Sequence, residues 1–196
     1  MYTGQVDVPL TELGLRQAER TAQYVAKTYP IDAIYSSDLC RAMSTALPLA
    51  QALGLPVIQE PLIKEIYGGL WENLYMPEID ERYHDDYQVY KTTIGLARCT
   101  GGESLMELQA RALEGMRRIA KENDGKTVFV STHGGVLLVL SAYWLGLPPE
   151  RMHETPPATN SSLTEVIYDK GEFKIVKYSF DDHLGELRVE NDMHLQ

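Results

Sequence analysis

One stretch of the chain decides its fold class: Thr127-Val128-Phe129-Val130-Ser131-Thr132-His133-Gly134-Gly135-Val136-Leu137. Residues 127–131 are mostly β-branched or aromatic, which predicts a short buried strand. The apolar run 136–145 after the two glycines is long enough for a helix. A strand that enters a helix through glycines places backbone N–H groups at the carboxyl edge of a sheet, where α/β proteins bind ligands and a helix N-terminus favours an anion. The stretch therefore predicts an anion site in an α/β protein.

His133 stands at this predicted sheet edge, directly before the two glycines. An imidazole in that position can donate a hydrogen bond to a phosphoryl oxygen or carry a proton. A structural histidine beside a tight turn is the alternative interpretation.

Strand and helix signals alternate on both sides of this stretch. Thr11 is expected to cap a helix that ends near Tyr29. The further predicted elements are a strand at 31–35, a helix from 39 to about 53 capped by Ser36, Ser37 or Asp38, a strand at 55–59, one or two helices within 77–92, a helix to about 123 that begins at a capping box of Ser104 and Glu107, a hairpin of 162–169 and 173–178 turned at Lys170-Gly171, and a frayed tail over the last dozen residues. This order predicts a three-layer α/β/α sandwich with a mainly parallel central sheet.

The composition predicts one soluble domain that spans residues 1–196. The chain is 44% hydrophobic, and no apolar run approaches the length of a membrane span. Cys40 and Cys99 are too few for a disulfide framework and lack metal-ligand spacing, so a cytoplasmic location is expected. The net charge of −10 argues against a nucleic-acid partner. It also means that a phosphorylated substrate must be attracted by a local basic patch.

Two further residues are candidates for chemistry. Arg41 is predicted in the first turn of a helix, where a cation opposes the helix dipole but can hold an anion together with the helix end. A solvated surface arginine is the alternative. Glu65 lies in the glycine- and aromatic-rich loop 62–72, where desolvation would raise its pKa and suit a general acid. The alternative is that Glu65 points to water while Ile63 and Ile66 anchor the loop.

Five ordered motifs resemble the histidine phosphatase superfamily, in its phosphoglycerate mutase-like branch. They are residues 2–14 (YTGQVDVPLTELG), 36–46 (SSDLCRAMSTA), 62–72 (LIKEIYGGLWE), 101–104 (GGES) and 131–134 (STHG). The resemblance implies a phosphoglycerate mutase-like fold and phosphoryl transfer through a phosphohistidine intermediate. This agrees with the residues, because phosphoryl transfer depends mainly on positioning and charge stabilisation.

The resemblance also implies a role for each matching residue. Arg41 would grip the phosphoryl group, His133 would steady its oxygens as a second, non-nucleophilic histidine, and Glu65 would donate the proton to the leaving oxygen. The remaining residues would bind phosphate or substrate, at the mouth and rim of the pocket or at the start of the helix: Thr3, Gly4, Glu103, Gly134 and Asn160.

The chain departs from the family in one respect. The family begins with an apolar strand and an Arg-His-Gly loop that supplies the nucleophilic histidine, and no Arg-His-Gly occurs in these residues. The remaining histidines lack a matching context: His84, His153, His183 and His194. We therefore expect that the chain, as it stands, lacks phosphohistidine chemistry. It is either N-terminally truncated relative to the family or a non-catalytic member of it, and the retention of Arg41, Glu65 and His133 favours truncation.

Other enzyme classes do not match. A cysteine-nucleophile phosphatase needs an arginine where Ala46 and Leu105 stand, and no Gly-x-Ser-x-Gly, HExxH, Walker A or GxGxxG pattern occurs. The compact loops favour a phosphatase of a small phosphorylated metabolite, with no metal or organic cofactor and no membrane or nucleic-acid partner. The alternatives are a non-catalytic protein that binds a phosphorylated ligand and a phosphoglycerate mutase.

Overall fold

A parallel sheet of three short strands lies at the centre of the fold, in a computed structural model that describes residues 1–189. The strands are β1 (Ala33–Ser36), β2 (Val57–Gln59) and β3 (Val128–Ser131), in the order β2-β1-β3. Ser36 of β1 pairs with Ser131 of β3, so both strands end at the same edge of the sheet. The parallel sheet and the strand predicted at 127–131 are confirmed.

Helices cover both faces of this sheet. Their bounds are α1 Glu12–Thr28, α2 Cys40–Leu53, α3 Met76–Arg82, α4 His84–Thr92, α5 Leu105–Glu122 and α6 Gly134–Trp144. Successive β1 residues point to opposite faces: Ile34 packs with α1 and α2, while Tyr35 packs with α5 and α6. The three predicted layers are therefore present. None of these helices is both long and apolar enough to cross a membrane.

The predicted hairpin forms a second, antiparallel sheet. Its strands are β4 (Leu163–Asp169) and β5 (Glu172–Phe180), joined through Lys170 and Gly171, which both have positive φ angles. Such a two-residue turn matches the twist of the flanking strands. The hairpin prediction is confirmed.

The predicted caps were right for two helices and wrong for a third. Thr11 caps α1 through the N–H of Gly14 at 3.1 Å, and the capping box at the start of α5 is present. The cap of α2 does not come from Ser36, Ser37 or Asp38, because α2 begins at Cys40 after Leu39, which contributes no side-chain bond. Asp7 supplies the carboxylate instead: its Oδ1 accepts from the Cys40 N–H at 2.7 Å.

The C-terminal prediction was partly wrong. Residues 185–187 of the predicted tail belong to the 3-10 turns Asp182–Leu187, and the side chain of Leu187 is buried. Gln17 of α1 donates to the Leu187 carbonyl at 2.9 Å, so these residues are docked rather than frayed. Residues 190–196 of the predicted tail lie outside the described residues.

Candidate active site

The candidate active site lies where β1 and β3 end. The first residue after β1, Ser37, donates its N–H to the Ser131 carbonyl at 2.9 Å, which joins the two strand ends. The Ser37 hydroxyl lies 2.7 Å from Nε2 of His133, the residue that precedes α6. The imidazole is buried, with 9% of its surface exposed. Ser37 is a site residue to which the sequence analysis gave no role beyond a candidate helix cap, although it lies in the 36–46 motif.

Burial and neighbouring cations keep His133 uncharged. They lower its pKa from 6.5 to about 3, first through desolvation and then through the charges of Arg41, Arg111 and Lys64. A neutral imidazole has one N–H donor and one acceptor nitrogen, so it can contact a phosphoryl oxygen without adding charge. Two of these cations, Lys64 and Arg111, are paired with carboxylates. Among residues 1–189 Arg41 forms no ion pair, so in a chain of net charge −10 its charge is the one available to a phosphorylated ligand.

The lowered pKa of His133 makes stability depend on pH. Between pH 6.5 and about 3 the unfolded chain binds this proton and the folded chain does not, so this group lowers stability as pH falls. From pH 7 to pH 5 we expect the unfolding free energy of wild type to fall by about 2 kcal/mol more than that of His133→Gln. Urea unfolding at both pH values measures it, and the effects of other groups cancel between the two proteins. An equal difference at both pH values would contradict the assigned pKa.

Glu65 approaches the same site from the loop after β2. Its Oε2 accepts from the N–H of Gly135 in the first turn of α6 at 3.1 Å, and its Oε1 accepts from the Ile66 N–H at 2.8 Å. Burial raises the pKa of this carboxyl, an effect that the two N–H bonds and the charges of Arg41 and Arg111 partly offset. A carboxyl with a raised pKa is suited to donate a proton near neutral pH.

The charge of Glu65 acts on a buried aromatic cluster. Tyr90 of α4 packs edge-to-face on Tyr2 and Trp71, with ring centroids 6.3 and 5.6 Å apart, and stacks on Tyr87. The pKa values of Tyr2 and Tyr90 are raised, mainly by burial and in part by the negative charge of Glu65. The tyrosine-rich segment is therefore packed as a buried cluster in the neighbourhood of Glu65.

The close approach of Glu65 to α6 requires glycine at position 135. A Cβ on Gly135 would lie 2.3 Å from Glu65 Oε1, whereas a Cβ on Gly134 meets no atom within 4 Å. We expect Gly134→Ala to be neutral or to raise the unfolding free energy by about 0.5–1 kcal/mol through helix propensity. Gly135→Ala must move the carboxylate off the Gly135 N–H, so we expect it to be less stable than Gly134→Ala by about 1–2 kcal/mol. Parallel urea unfolding of both variants measures this, and equal stability would contradict the contact.

Arg41 lies in the first turn of α2, as predicted, but part of its guanidinium is already engaged. Its Nη1 donates to the Val6 carbonyl at 2.9 Å and its Nη2 to the Gly4 carbonyl at 2.7 Å. The side chain is half-buried and its charge reaches both His133 and Glu65, which does not fit a solvated surface arginine.

The N-terminal loop is held against the Glu65 loop. Thr3 is half-buried and Gly4 is buried with a φ of +51°, and a Cβ on Gly4 would lie 2.5 Å from Glu72 Oε1. That oxygen accepts from the N–H of Gln5 at 2.7 Å, and the Gln5 side chain donates to the Glu65 carbonyl at 2.9 Å. Thr3 and Gly4 therefore lie beside the segment that carries Glu65.

Glu103 is not a free group at the rim, because it forms an ion pair with Arg111 of α5. The Nε–Oε1 and Nη2–Oε2 distances are 2.6 and 2.8 Å. Sequence reasoning missed Arg111; the only signal was that the capping box explained Ser104 and Glu107 but left Glu103 unexplained. It also missed Lys64, whose Nζ lies 2.7 Å from Asp38 Oδ2.

The other two predicted residues differ in placement. Gly134 is exposed as the first residue of α6, with open space around its Cα, which leaves room for an anion at the helix end. Asn160 is exposed in the turn before β4, and within residues 1–189 no hydrogen bond joins it to the other predicted residues.

The edge of the parallel sheet brings together a neutral buried histidine, a carboxyl of raised pKa and the Arg41 guanidinium. This combination is suited to an anionic substrate. The profile described as "Histidine phosphatase superfamily (branch 1)" matches residues 1–181. The chain belongs to this superfamily.

Known relatives are similar over most of the chain. Phosphoserine phosphatase 1 of Hydrogenobacter thermophilus is 31% identical over 189 residues, which cover 96% of this chain and 89% of the relative. Among solved structures, Bacillus stearothermophilus YhfR has a TM-score of 0.88 at 29% identity, covering 93% of this chain and 90% of its own. The structure of a mycobacterial glucosyl-3-phosphoglycerate phosphatase in complex with inorganic phosphate has a TM-score of 0.82 at 26% identity. The match covers 93% of this chain and 92% of the mycobacterial chain.

Proposed function

We propose that this protein is a phosphatase of small phosphorylated metabolites that works through a phosphohistidine intermediate. The observation that carries the proposal is the convergence of Arg41, Glu65 and His133 at one sheet edge, beside the N-terminus of α6. The relatives support the substrate class, because phosphoserine and glucosyl-3-phosphoglycerate are both alkyl monoesters by name.

The residues divide the chemistry between binding and proton transfer. Arg41, the His133 N–H and the end of α6 would hold the negatively charged phosphoryl oxygens. When the ester P–O bond breaks, the phosphoryl group passes to a nucleophilic histidine and the leaving alkoxide takes the Glu65 proton. The Glu65 carboxylate then accepts a proton from the water that attacks phosphohistidine and releases phosphate. An alkoxide is a poor leaving group, which is why the raised pKa of Glu65 matters here.

The nucleophile is the part of this scheme that residues 1–196 do not supply, since they contain no Arg-His-Gly sequence. β3 pairs with β1 on one side, and within residues 1–189 no strand pairs with its other side. We propose that the family's Arg-His-Gly strand belongs at that side, where its end would reach Ser37 and His133. The 196 residues alone are then expected to bind phosphate without turnover.

The assay compares two proteins, the 196-residue chain and the protein expressed from its natural gene. The second is expected to release phosphate from phosphoserine and other small alkyl monoesters, and His133→Ala is expected to remove this activity. The 196-residue chain is expected to be stabilised thermally by phosphate or vanadate and to release no phosphate. If neither protein binds phosphate or vanadate, the proposal is wrong. His133-dependent turnover by the 196-residue chain would overturn only its expected inactivity.

The missing Arg-His-Gly sequence also favours a second candidate, a non-catalytic protein that binds a phosphorylated ligand through Arg41 and His133. This candidate predicts stabilisation by phosphate for both proteins and turnover by neither. The same assay therefore distinguishes the two functions.

A further inference from the structure

Arg111 makes five hydrogen bonds, one for each N–H that a guanidinium carries. Two go to the carboxylate of Glu103. The other three go to backbone carbonyls of the loop that carries Glu65: Leu62 at 2.9 Å, Lys64 at 2.6 Å and Glu65 at 2.8 Å. The side chains of Arg111 and Glu103 are largely buried, with 18% and 15% of their surfaces exposed.

These bonds fix the backbone on both sides of the Glu65 side chain. Arg111 holds the residues before it and the Glu65 carbonyl itself. Glu103 holds Tyr67, two residues after Glu65. The Glu103 N–H donates to the Tyr67 carbonyl at 2.9 Å, and the Glu103 carboxylate accepts from the Tyr67 N–H at 3.2 Å. The Cα of Glu65 is therefore fixed relative to α5, and only side-chain torsions separate it from the Gly135 N–H.

Arg118, another arginine of α5, forms an ion pair near the same loop and provides a comparison for Arg111. Arg118 donates to the carboxylate of the buried Glu60, with Nε–Oε2 at 2.8 Å, and that carboxylate accepts from the Leu62 N–H. In the described part of the chain Arg118 donates to no backbone carbonyl. It stabilises the start of the same loop but does not reach Glu65.

We propose that Arg111, braced by Glu103, is the positioning residue that sets the Glu65 carboxyl against the N-terminus of α6 and the leaving group. The inference rests on the proposed function for its catalytic consequence, and on the contacts alone for its structural part. It assigns no substrate contact to Arg111, whose donors are all used inside the protein.

The catalytic test uses the dependence on leaving group in the protein expressed from its natural gene. An alkyl monoester such as phosphoserine needs a proton from Glu65, whereas p-nitrophenyl phosphate releases a stable anion and needs little help. We expect Arg111→Met to lower kcat/KM for phosphoserine by about 100-fold and for p-nitrophenyl phosphate by only about threefold. Arg118→Met is the matched control from the same helix and should leave the ratio of the two unchanged. An equal loss for both substrates, or the same shift in Arg118→Met, would overturn the inference.

A second readout is independent of turnover and uses the 196-residue chain. The Gly135 N–H has no partner within its helix and is bonded to Glu65, so its hydrogen exchange reports where the carboxylate lies. We expect Arg111→Met to speed this exchange by about tenfold, while the Leu137 N–H, bonded to the His133 carbonyl, stays unchanged. Unchanged exchange at Gly135 would refute the positioning role, whether or not the wild type is a phosphatase.

Two additional variants keep the inference testable if Arg111→Met does not fold. Arg111→Lys retains the charge but not the planar fork, and Glu103→Gln retains one acceptor but not the ion pair. Both are expected to show the same two effects in weaker form. Wild-type protein that hydrolyses neither substrate would count against the proposed function, and the Gly135 exchange would still decide the role of Arg111.

Discussion

Glu65→Gln is expected to slow the hydrolysis of alkyl phosphate monoesters by a factor of about 10²–10⁴ in the protein expressed from its natural gene. The amide can fill the space of the carboxyl but cannot give a proton to the leaving oxygen. Hydrolysis of p-nitrophenyl phosphate is the internal control and should fall far less. A variant that keeps more than about a tenth of the alkyl activity would show that another group is the acid.

The pH dependence of the wild type tests the same assignment. Burial raises the pKa of Glu65 above its usual 4.5, so the carboxyl keeps its proton to a higher pH than an ordinary glutamate does. The rate with an alkyl monoester should fall as pH rises through that pKa, and this descending limb should disappear in Glu65→Gln. A descending limb that persists in the variant would belong to a different residue.

Arg41→Gln is expected to weaken the binding of phosphate and of orthovanadate to the 196-residue chain by more than roughly 30-fold, which corresponds to the loss of about 2–5 kcal/mol from a desolvated charge pair. Two of the guanidinium nitrogens bond to the Val6 and Gly4 carbonyls, and the charge of Arg41 acts on both His133 and Glu65, so the variant removes a cation near the site. Isothermal titration calorimetry of both anions measures the effect.

Two controls separate this local role from others. Arg117→Gln changes the net charge equally on exposed α5 surface, where Arg117 contacts Tyr143, and should leave phosphate affinity unchanged. Arg41→Lys keeps the positive charge but loses the planar guanidinium with its paired N–H donors. We expect its phosphate affinity to lie between those of wild type and Arg41→Gln. An Arg41→Gln variant that binds phosphate as the wild type does would remove Arg41 from the site. Thermal denaturation checks that the loop bonds to Gly4 and Val6 are not needed for folding.

The sequence predicted those parts of the fold that depend on neighbouring residues. The β3 strand and α6 follow from a run of β-branched residues, two glycines and an apolar run. The capping box at Ser104 and the turn at Lys170-Gly171 are likewise local patterns, and both are confirmed. His133 and Glu65 could be selected because their chemistry is unusual for their surroundings.

The parts that could not be predicted depend on contacts between distant segments. The carboxylate at the start of α2 comes from Asp7, 33 residues earlier, while the nearby Ser37 hydroxyl pairs with His133, 96 residues later. Arg111 bonds to carbonyls 46 to 49 residues away, and backbone carbonyls carry no signature in the sequence. Leu187 is buried, and its carbonyl accepts a hydrogen bond from Gln17 of α1. No pattern at the C-terminus indicates this contact.

The central claim is that the sheet edge at His133 binds a phosphoryl group. Its most direct test is calorimetric titration of the 196-residue chain with inorganic phosphate, alone and in the presence of orthovanadate, for the wild type and for His133→Ala. We predict saturable binding of one phosphate per chain, competition by orthovanadate, and affinity reduced by about tenfold or more in the variant, as the loss of one hydrogen bond to a charged acceptor implies. The absence of binding to the wild type, or equal binding to both proteins, would contradict the claim.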